Sequence, residues 1–240
     1  MTGRSRARDR SRPSGGAPLW TPAQLAPYAW YRGDLGITLV GGKVSAWGDQ
    51  SGNGAHLTQS SDPLRPAYDA TVASRGNCPA VRTDGTTYLT GSATLPREVS
   101  WVVAFGSVGP GYAFAHSNGS IEYHYTFSGG PATHFVRNTA GTNYYRTVST
   151  QPVFVANTNL IVTYDGSSIS TRRSGASVAM ASAIGTPPAS ESIASNLYIG
   201  RGGGGSGAAL QILEIILAPP LSAAQLVALD AYFARLGRPN

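Results

Sequence analysis

The four histidines are the first residues to test for chemistry, because imidazole can serve as a metal ligand or as a general base. His56, His116, His124 and His134 lack a metal-binding spacing such as His-Glu-x-x-His, and the chain contains no Gly-x-Ser-x-Gly nucleophile elbow. The single cysteine, Cys78, can form neither an intramolecular disulfide nor a thiolate metal site. Zinc hydrolysis and α/β-hydrolase chemistry therefore lose support.

The carboxylates are the second candidates, because glycoside hydrolysis needs two of them flanking the scissile bond. Glu122, Glu191 and Glu214 are isolated in the sequence, and we interpret Glu214 as a structural residue of a late strand. Asp49 and Asp84 lie beside glycines, where an aspartate accepts backbone N–H bonds across a tight loop. The alternative to this structural role is a calcium site that uses Asp49 or Asp84, although a calcium site needs several oxygen ligands. We expect no enzyme and no cofactor, with calcium as the one metal left open.

Aromatic residues are concentrated in the middle of the chain, where their flat faces could stack on pyranose rings. The set is Tyr112, Phe114, Tyr123, Tyr125, Phe127, Tyr144 and Tyr145. Aromatics are ordinary strand residues, so we favour core packing for the set as a whole. For a glycan site we expect Asn143, Tyr144 and Tyr145 to be exposed on a Gly-Thr-Asn loop, with Asn118 and Asn138 on neighbouring loops.

A glycine-rich segment at residues 200–207 contains the Gly-x-Gly-x-x-Gly pattern of phosphate-binding loops. A strand-like run follows it, so no helix N-terminus is available for a pyrophosphate. We interpret the segment as a hairpin loop.

The net charge of +6 is concentrated at the N-terminus, where residues 1–18 carry +4. The charged residues of this segment are Arg4, Arg6, Arg8, Arg10, Arg12 and Asp9. A composition of Arg, Ser, Gly and Pro cannot bury enough apolar surface to fold alone. We predict an extended docking arm at 1–18, whose arginines pair with carboxylates of another subunit, and one domain at 19–240. A solvated tail is the alternative for the arm.

The elements that must position these residues are mostly strands. The 30 glycines and 16 prolines favour many turns and exclude a helical bundle. Strands are predicted at 100–105, 121–127, 134–137, 153–156, 159–164, 169–172, 197–199 and 210–217. Both alternating sets of the run at 100–105 are apolar, which is typical of a strand packed on both faces.

Helical signals are confined to two short segments. Ser222 and Gln225 form a capping-box pattern before an apolar stripe that ends at Gly237, which predicts a helix over 222–236. We expect this helix to cap an edge or end of a sandwich. A second short helix is predicted where Thr21 precedes Pro22.

Several motifs resemble the concanavalin A-like, laminin-G-like jelly-roll domains of bacterial and phage proteins. They read VSAWGDQSGNGAHLTQ at 44–59, RPAY at 65–68, TDG at 83–85, LYIGR at 197–201 and LSAAQ at 221–225. The resemblance implies an all-β fold, an antiparallel jelly-roll β-sandwich with a short C-terminal helix. Family members serve as lectins, adhesion modules, enzyme appendages and virion components, so the resemblance is specific for fold rather than for function.

The lack of catalytic motifs, the lack of a recognisable signal peptide and the basic arm together favour a structural protein of a tailed-phage virion. We expect a capsid decoration protein or a head or tail appendage, made in the host cytoplasm and assembled with coat or tail subunits into an oligomer or lattice. A carbohydrate-binding adhesion module that recognises cell-surface glycans is the alternative. Nucleic acid is not an expected partner, since a decoration protein lies outside the shell, and no apolar run is long enough for membrane insertion.

Overall fold

Short apolar runs separated by glycine, proline and asparagine turns fold into antiparallel strands. The computed structural model describes residues 19–118, 122–126, 133–137, 143–147, 156–202 and 207–236. The predicted docking arm, with Arg4, Arg6, Arg8, Arg10 and Arg12, lies outside the described residues, as does the predicted strand at 153–156 apart from Ala156. No described helix is long and apolar enough to cross a membrane.

The described residues form seventeen strands, one α-helix and three short 3-10 helices. The strands are β1 (Ala29–Arg32), β2 (Ile37–Val40), β3 (Lys43–Trp47), β4 (Leu57–Thr58), β5 (Ala67–Val72), β6 (Cys78–Asp84), β7 (Leu89–Pro96), β8 (Val99–Val108), β9 (Phe114–Ser117), β10 (Glu122–Thr126), β11 (Thr133–Arg137), β12 (Asn143–Thr147), β13 (Asn159–Tyr164), β14 (Ile169–Arg173), β15 (Ala176–Ser177), β16 (Ser192–Ile199) and β17 (Ala209–Ala218). The helices are α1 (Ala223–Arg235) and the 3-10 segments Pro22–Leu25, Asp62–Leu64 and Ala73–Arg75.

The strands form two layers, which we call sheet 1 and sheet 2. Sheet 1 has the order β5-β6-β17-β8-β13-β14-β15, and β1 pairs with β17 beyond the end of β6. Sheet 2 has the order β2-β3-β4-β7-β16-β9-β10-β11-β12. Every pairing is antiparallel, and a single bridge between Lys43 and Ala67 joins the two layers. The predicted all-β sandwich is confirmed.

The main hydrophobic core lies between the two sheets. Trp101 of β8 stacks on Phe114 of β9, with ring centroids 4.7 Å apart and an interplanar angle of 11°. Trp47 and Trp101 are 0% and 3% exposed. Large aromatic surfaces of this kind supply much of the stabilisation of a core.

A second core lies on the outer face of sheet 1, where helix α1 packs. Leu229 and Phe233 of the helix are buried in one cluster with Val102 and Ile216 of the sheet. At the far side of the helix, Asp230 forms an ion pair of 3.5 Å with Arg172 of β14. The expectation that this helix caps an edge or end was therefore wrong, because its apolar stripe covers the broad face of sheet 1.

The helix itself begins as the capping pattern predicts. The Ser222 hydroxyl accepts a bond of 3.3 Å from the Gln225 N–H, and the Gln225 side chain accepts one of 2.9 Å from the Ser222 N–H. Two of the four orphan N–H groups of this region are satisfied in this way. A hairpin joins β13 to β14, and the Asp165 carboxylate holds its turn by accepting bonds from the Ser167 and Ser168 N–H groups.

Candidate functional site

A groove of about 750 Å³ opens beside the middle of strands β7 and β16 in sheet 2. Ten described residues line it: Tyr28, Asn53, Ala55, Ser92, Ala93, Thr94, Asn118, Ala194, Ser195 and Asn196. Pockets of several hundred cubic ångströms are typical of small-molecule and oligosaccharide sites, and we take this groove as the candidate site.

The groove depends on the register between β7 and β16. Ser92 lies opposite Asn196, Ala93 opposite Ser195, and Thr94 opposite Ala194. Because directly opposed residues on neighbouring strands share one face of the sheet, this register places small and polar side chains in pairs. The small side chains leave room that larger residues would fill.

Asn53 and the loop around it form the side of the groove. The Asp49 carboxylate organises this loop by accepting bonds of 2.8 Å from the Trp30 N–H, 2.9 Å from the Ser51 N–H and 3.2 Å from the Ala55 N–H. The Asn53 Nδ2 then donates to the carbonyl oxygens of residues 27 and 28, at 2.9 and 3.2 Å. The Asn53 Oδ1 accepts no bond from the described residues and remains available to a ligand.

Gly91 allows this loop to cross β7. A β-carbon at Gly91 would collide with the His56 carbonyl oxygen, so only glycine permits the chain to approach so closely. Two residues farther along β7, the small Ala93 side chain lines the groove. The loop and strand β7 are therefore in close backbone contact at the edge of the site.

The groove is polar but carries no charged side chain among its described lining residues. Burial, and then the charge of Glu98, raise the pKa of Tyr28 above its ordinary value, so its phenol stays protonated at neutral pH. The Ser195 Oγ is buried and has no hydrogen-bond partner among the described residues. Buried hydroxyls usually have a partner, so this oxygen points to a ligand or water in the site.

The glycan-binding residues predicted from the sequence lie elsewhere. Asn143, Tyr144 and Tyr145 belong to strand β12 rather than to a loop. Tyr144 is 3% exposed, and its hydroxyl donates a bond of 3.0 Å to the Ser167 carbonyl oxygen. The expected exposure was therefore wrong for Tyr144, because alternate residues of a strand face the core and this one packs near Tyr164. Tyr145 is half-buried, and the Asn143 side chain lies outside the described part of the structure.

Asn118, expected on a loop near a glycan site, is a described residue that lines the groove, whereas Asn138 lies outside the described residues. The sequence analysis missed Asn53 and the polar residues of β7 and β16. The alternation of small polar residues in SATL at 92–95 and SIASN at 192–196 was a signal for strands with one wet face. Nothing in the sequence showed that these two segments pair.

The two aspartates considered for calcium are occupied by hydrogen-bond donors. Asp84 Oδ1 accepts from the N–H and hydroxyl groups of Thr86 and Thr87, at 2.8 to 3.0 Å, and these bonds hold the pKa of Asp84 well below its usual range. The Asp49 carboxylate likewise accepts hydrogen bonds from the Ser51 and Ala55 N–H groups of its own loop. Among the described residues, no three His, Cys, Asp or Glu side chains are grouped so as to hold a metal ion. The structure thus assigns both carboxylates to turns.

Three other titratable groups considered for chemistry, Glu214, His116 and His134, are buried in the protein. Glu214 is 0% exposed and accepts bonds of 2.6 Å from Trp30 Nε1 and 2.8 Å from Tyr232 Oη. It therefore connects β1, β17 and α1, in agreement with the structural role expected for it. Burial lowers the pKa of His116 to about 4 and that of His134 to about 3, so both imidazoles are neutral at physiological pH.

Comparisons with known proteins found similarity in three-dimensional structure. No protein-family model and no curated protein sequence matches the chain. The structure is similar to the binding domain of Paraclostridial Mosquitocidal Protein 1, with a TM-score of 0.56 and 10% identity over 87% of this chain and 53% of that one. It is also similar to an arabinofuranosidase solved with arabinofuranosyl-α-1,2-xylobiose, with a TM-score of 0.51 and 13% identity over 88% of this chain and 59% of that one.

These similarities concern fold alone, because sequence identity is low and the chain spans little more than half the length of either protein. The antiparallel layers, the core between them and the single described α-helix agree with the fold of these proteins. The domain is therefore an antiparallel β-sandwich whose fold matches that of concanavalin A-like structures.

Proposed function

We propose that this chain is a non-catalytic carbohydrate-binding protein and that the groove over β7 and β16 is its glycan site. The observation that carries the proposal is the groove's lining of amides, hydroxyls and one tyrosine, without charge among the described residues. Sugars present hydroxyl groups that both donate and accept hydrogen bonds, and Asn, Ser, Thr and Tyr side chains complement them in both senses. The Tyr28 ring supplies an apolar face for a sugar ring.

The absence of paired acids at the groove supports a binding role rather than hydrolysis. None of its described lining residues is a carboxylate, and Glu214 is buried on the opposite side of sheet 1 beneath helix α1. A glycosidase needs two carboxyl groups across the scissile bond. The similarity to an arabinofuranosidase concerns fold and does not support transfer of its activity.

The decisive experiment fills the groove with a bulky side chain. Asn118 is exposed and lines the groove, so Asn118→Trp should block the site without disturbing the core. Ala70 is also exposed, on strand β5 of sheet 1, and Ala70→Trp is the control for the addition of a surface indole. On a glycan array, the native protein and the control should bind the same oligosaccharides, and Asn118→Trp should lose at least tenfold in affinity. Equal binding by both variants would place any glycan site elsewhere.

We further propose that the domain is displayed on a phage virion through its basic arm, as a decoration protein or a head or tail appendage. The observation that favours this second role is the charge distribution, because +4 of the net +6 lies in residues 1–18. Alternate arginines of an extended segment project to one side and can pair bidentately with carboxylates of a coat or tail subunit. A free adhesion module has no need of such a segment.

Deletion of residues 1–18 tests this role separately from glycan binding. The truncated domain should retain its fold and its glycan affinity, and it should no longer co-purify with particles. Replacement of the five arginines by serine should have nearly the same effect. Full incorporation of the truncated protein would assign docking to the sandwich, and a steep loss of affinity for DNA with salt would instead indicate nucleic-acid binding by the arm.

A further inference from the structure

A smaller cavity of about 220 Å³ lies next to the groove, and we call it the side cavity. Six described residues line it: Ala23, Ala26, Pro27, Gln50, Ser51 and Asn53. Asn53 lines the groove as well, and the consecutive residues 27 and 28 line one cavity each. Asn53 is exposed, so a ligand that contacts it from the groove can extend over it into the side cavity.

The segment before strand β1 gives the side cavity small apolar groups. Ala23 and Ala26 are exposed, and Pro27 is buried beside them. Ala26 ends the 3-10 helix with a φ of +47°, in the left-handed region that favours glycine, and its N–H donates to the Ala23 carbonyl oxygen. Two methyl groups and a proline ring therefore offer an apolar surface to a ligand.

The loop after strand β3 gives the side cavity two amides with unused hydrogen-bonding capacity. The Gln50 Nε2 donates one of its two hydrogens to the Gly48 carbonyl oxygen at 2.9 Å, and its other hydrogen and its Oε1 have no partner among the described residues. The Asn53 Nδ2 donates to the carbonyl oxygens of residues 27 and 28, and its Oδ1 accepts no bond from the described residues. The two side chains thus offer one donor and two acceptors.

Ser51 fixes the loop that carries these amides. Its hydroxyl donates a bond of 2.7 Å to the Asp49 Oδ2 and accepts one of 3.2 Å from the Asn53 N–H. The loop is therefore held by its own hydrogen bonds before a ligand arrives. Little conformational entropy is lost when a ligand binds to a preorganised loop of this kind.

An acetamido group matches this combination of an apolar surface and two amides. It carries one N–H donor, one carbonyl acceptor and one methyl group. Its N–H can donate to the Asn53 Oδ1, its carbonyl can accept from the Gln50 Nε2, and its methyl group can contact Ala26 and Pro27. A sugar hydroxyl could use the amides but would leave the apolar surface in contact with water.

We propose that the side cavity binds the acetamido group of a neutral N-acetylated hexosamine and that the next ring of the same chain lies in the groove. This inference rests on the proposed function, because the groove must first hold a glycan. No charged side chain lines either cavity among the described residues, which favours neutral acetamido sugars over charged ones. The ligand class is therefore an oligosaccharide that contains an N-acetylated hexosamine.

The test compares pairs of oligosaccharides that share one linkage and differ only in the acetamido group, such as chitotetraose and cellotetraose. On an array of such pairs, the full-length native protein should bind the acetamido-bearing member about tenfold more tightly or better. Ala23→Trp fills the side cavity from an exposed position and should abolish this preference, while the acetamido-free member binds as before. Ala70→Trp is the control and should keep the preference.

Ala26→Gly is a milder variant that tests the methyl contact. Glycine adopts a φ of +47° without strain, so the variant should retain the fold. Loss of one methyl contact should weaken binding of the acetamido-bearing member about fourfold and leave the other member unaffected. Equal weakening of both members would contradict a methyl contact that is specific for the acetamido group.

Equal affinity of the native protein for the two members of every pair would overturn the side cavity as an acetamido site and leave the proposed groove intact. A preference for the acetamido-bearing member that survives in Ala23→Trp would also overturn it, because the acetamido group would then bind elsewhere. Binding of the native protein to no glycan would overturn both this inference and the proposed function.

Discussion

The two sheets of the sandwich differ in what covers their outer faces, and this difference separates stability from function. Sheet 1 lies between the main core and helix α1, and its strand β8 has eight consecutive buried residues, from 99 to 106. In sheet 2, side chains of β7 and β16 alternate between an exposed outer side and the core side, where Ala93 and Ser195 line the groove. Burial on both faces makes sheet 1 the stable layer, whereas sheet 2 leaves the groove open for binding.

The largest expected effect of a substitution comes from the core that both sheets share. Trp101→Ala removes the ring that stacks on Phe114 and should lower the free energy of unfolding by about 3 to 5 kcal/mol. Thr94→Ala, on the outer side of sheet 2, removes an exposed side chain and should change this free energy by less than about 0.5 kcal/mol. Urea denaturation measures both. Similar midpoints for the two variants would break the distinction between the layers.

The next largest effect is the pH dependence of stability caused by His116, which shows whether water reaches the inner side of sheet 2. Burial is the main reason that the pKa of His116 is lowered to about 4 from an ordinary value of 6.5, with the charge of Arg97 adding to it and a contact with the Ala93 carbonyl opposing it. Between these pH values the unfolded chain binds more protons than the folded one, so stability falls as pH decreases from 6.5 to 4. The contribution of His116 is about 3 kcal/mol.

His116→Gln removes this titration, so the variant should lose less stability than the native protein between pH 7 and pH 4. Urea denaturation at both pH values measures the difference, and the change with pH matters rather than the stability at either value. His134, whose pKa is about 3, contributes in the same direction and continues to do so in the variant. An identical pH dependence of the two proteins would show that the interior beside His116 is hydrated.

The smallest effect concerns the helix that covers sheet 1. Ser222→Ala removes the hydroxyl that accepts the Gln225 N–H bond and should cost about 1 kcal/mol of stability. Ser192→Ala, at the exposed start of β16 in sheet 2, is the control and should be neutral within about 0.5 kcal/mol. Thermal or urea unfolding resolves the two. Equal effects would contradict a stabilising role for the capping box.

Several elements could be predicted from the sequence because local patterns specify them. The strand at 159–164 and the capped helix at Ser222 form as expected, and the Asp165 turn between two predicted strands is held by bonds to residues two and three positions on. The strands that lie before residue 97 were missed. The segment of β7 contains Gly91 and ends at Pro96, and that of β5 contains Asp69, so their composition resembles loops.

The sequence by itself determined the fold class, the alternation of the central strands and the position of the helix along the chain, because these depend on neighbours within a few residues. Tertiary structure alone decided which face the helix covers, that Tyr144 points inward, and that β7 meets β16 about a hundred residues later in the chain. It also decided that Arg201 folds back over Tyr88. The groove arises from strand register, and register depends on the packing of distant segments rather than on any local pattern.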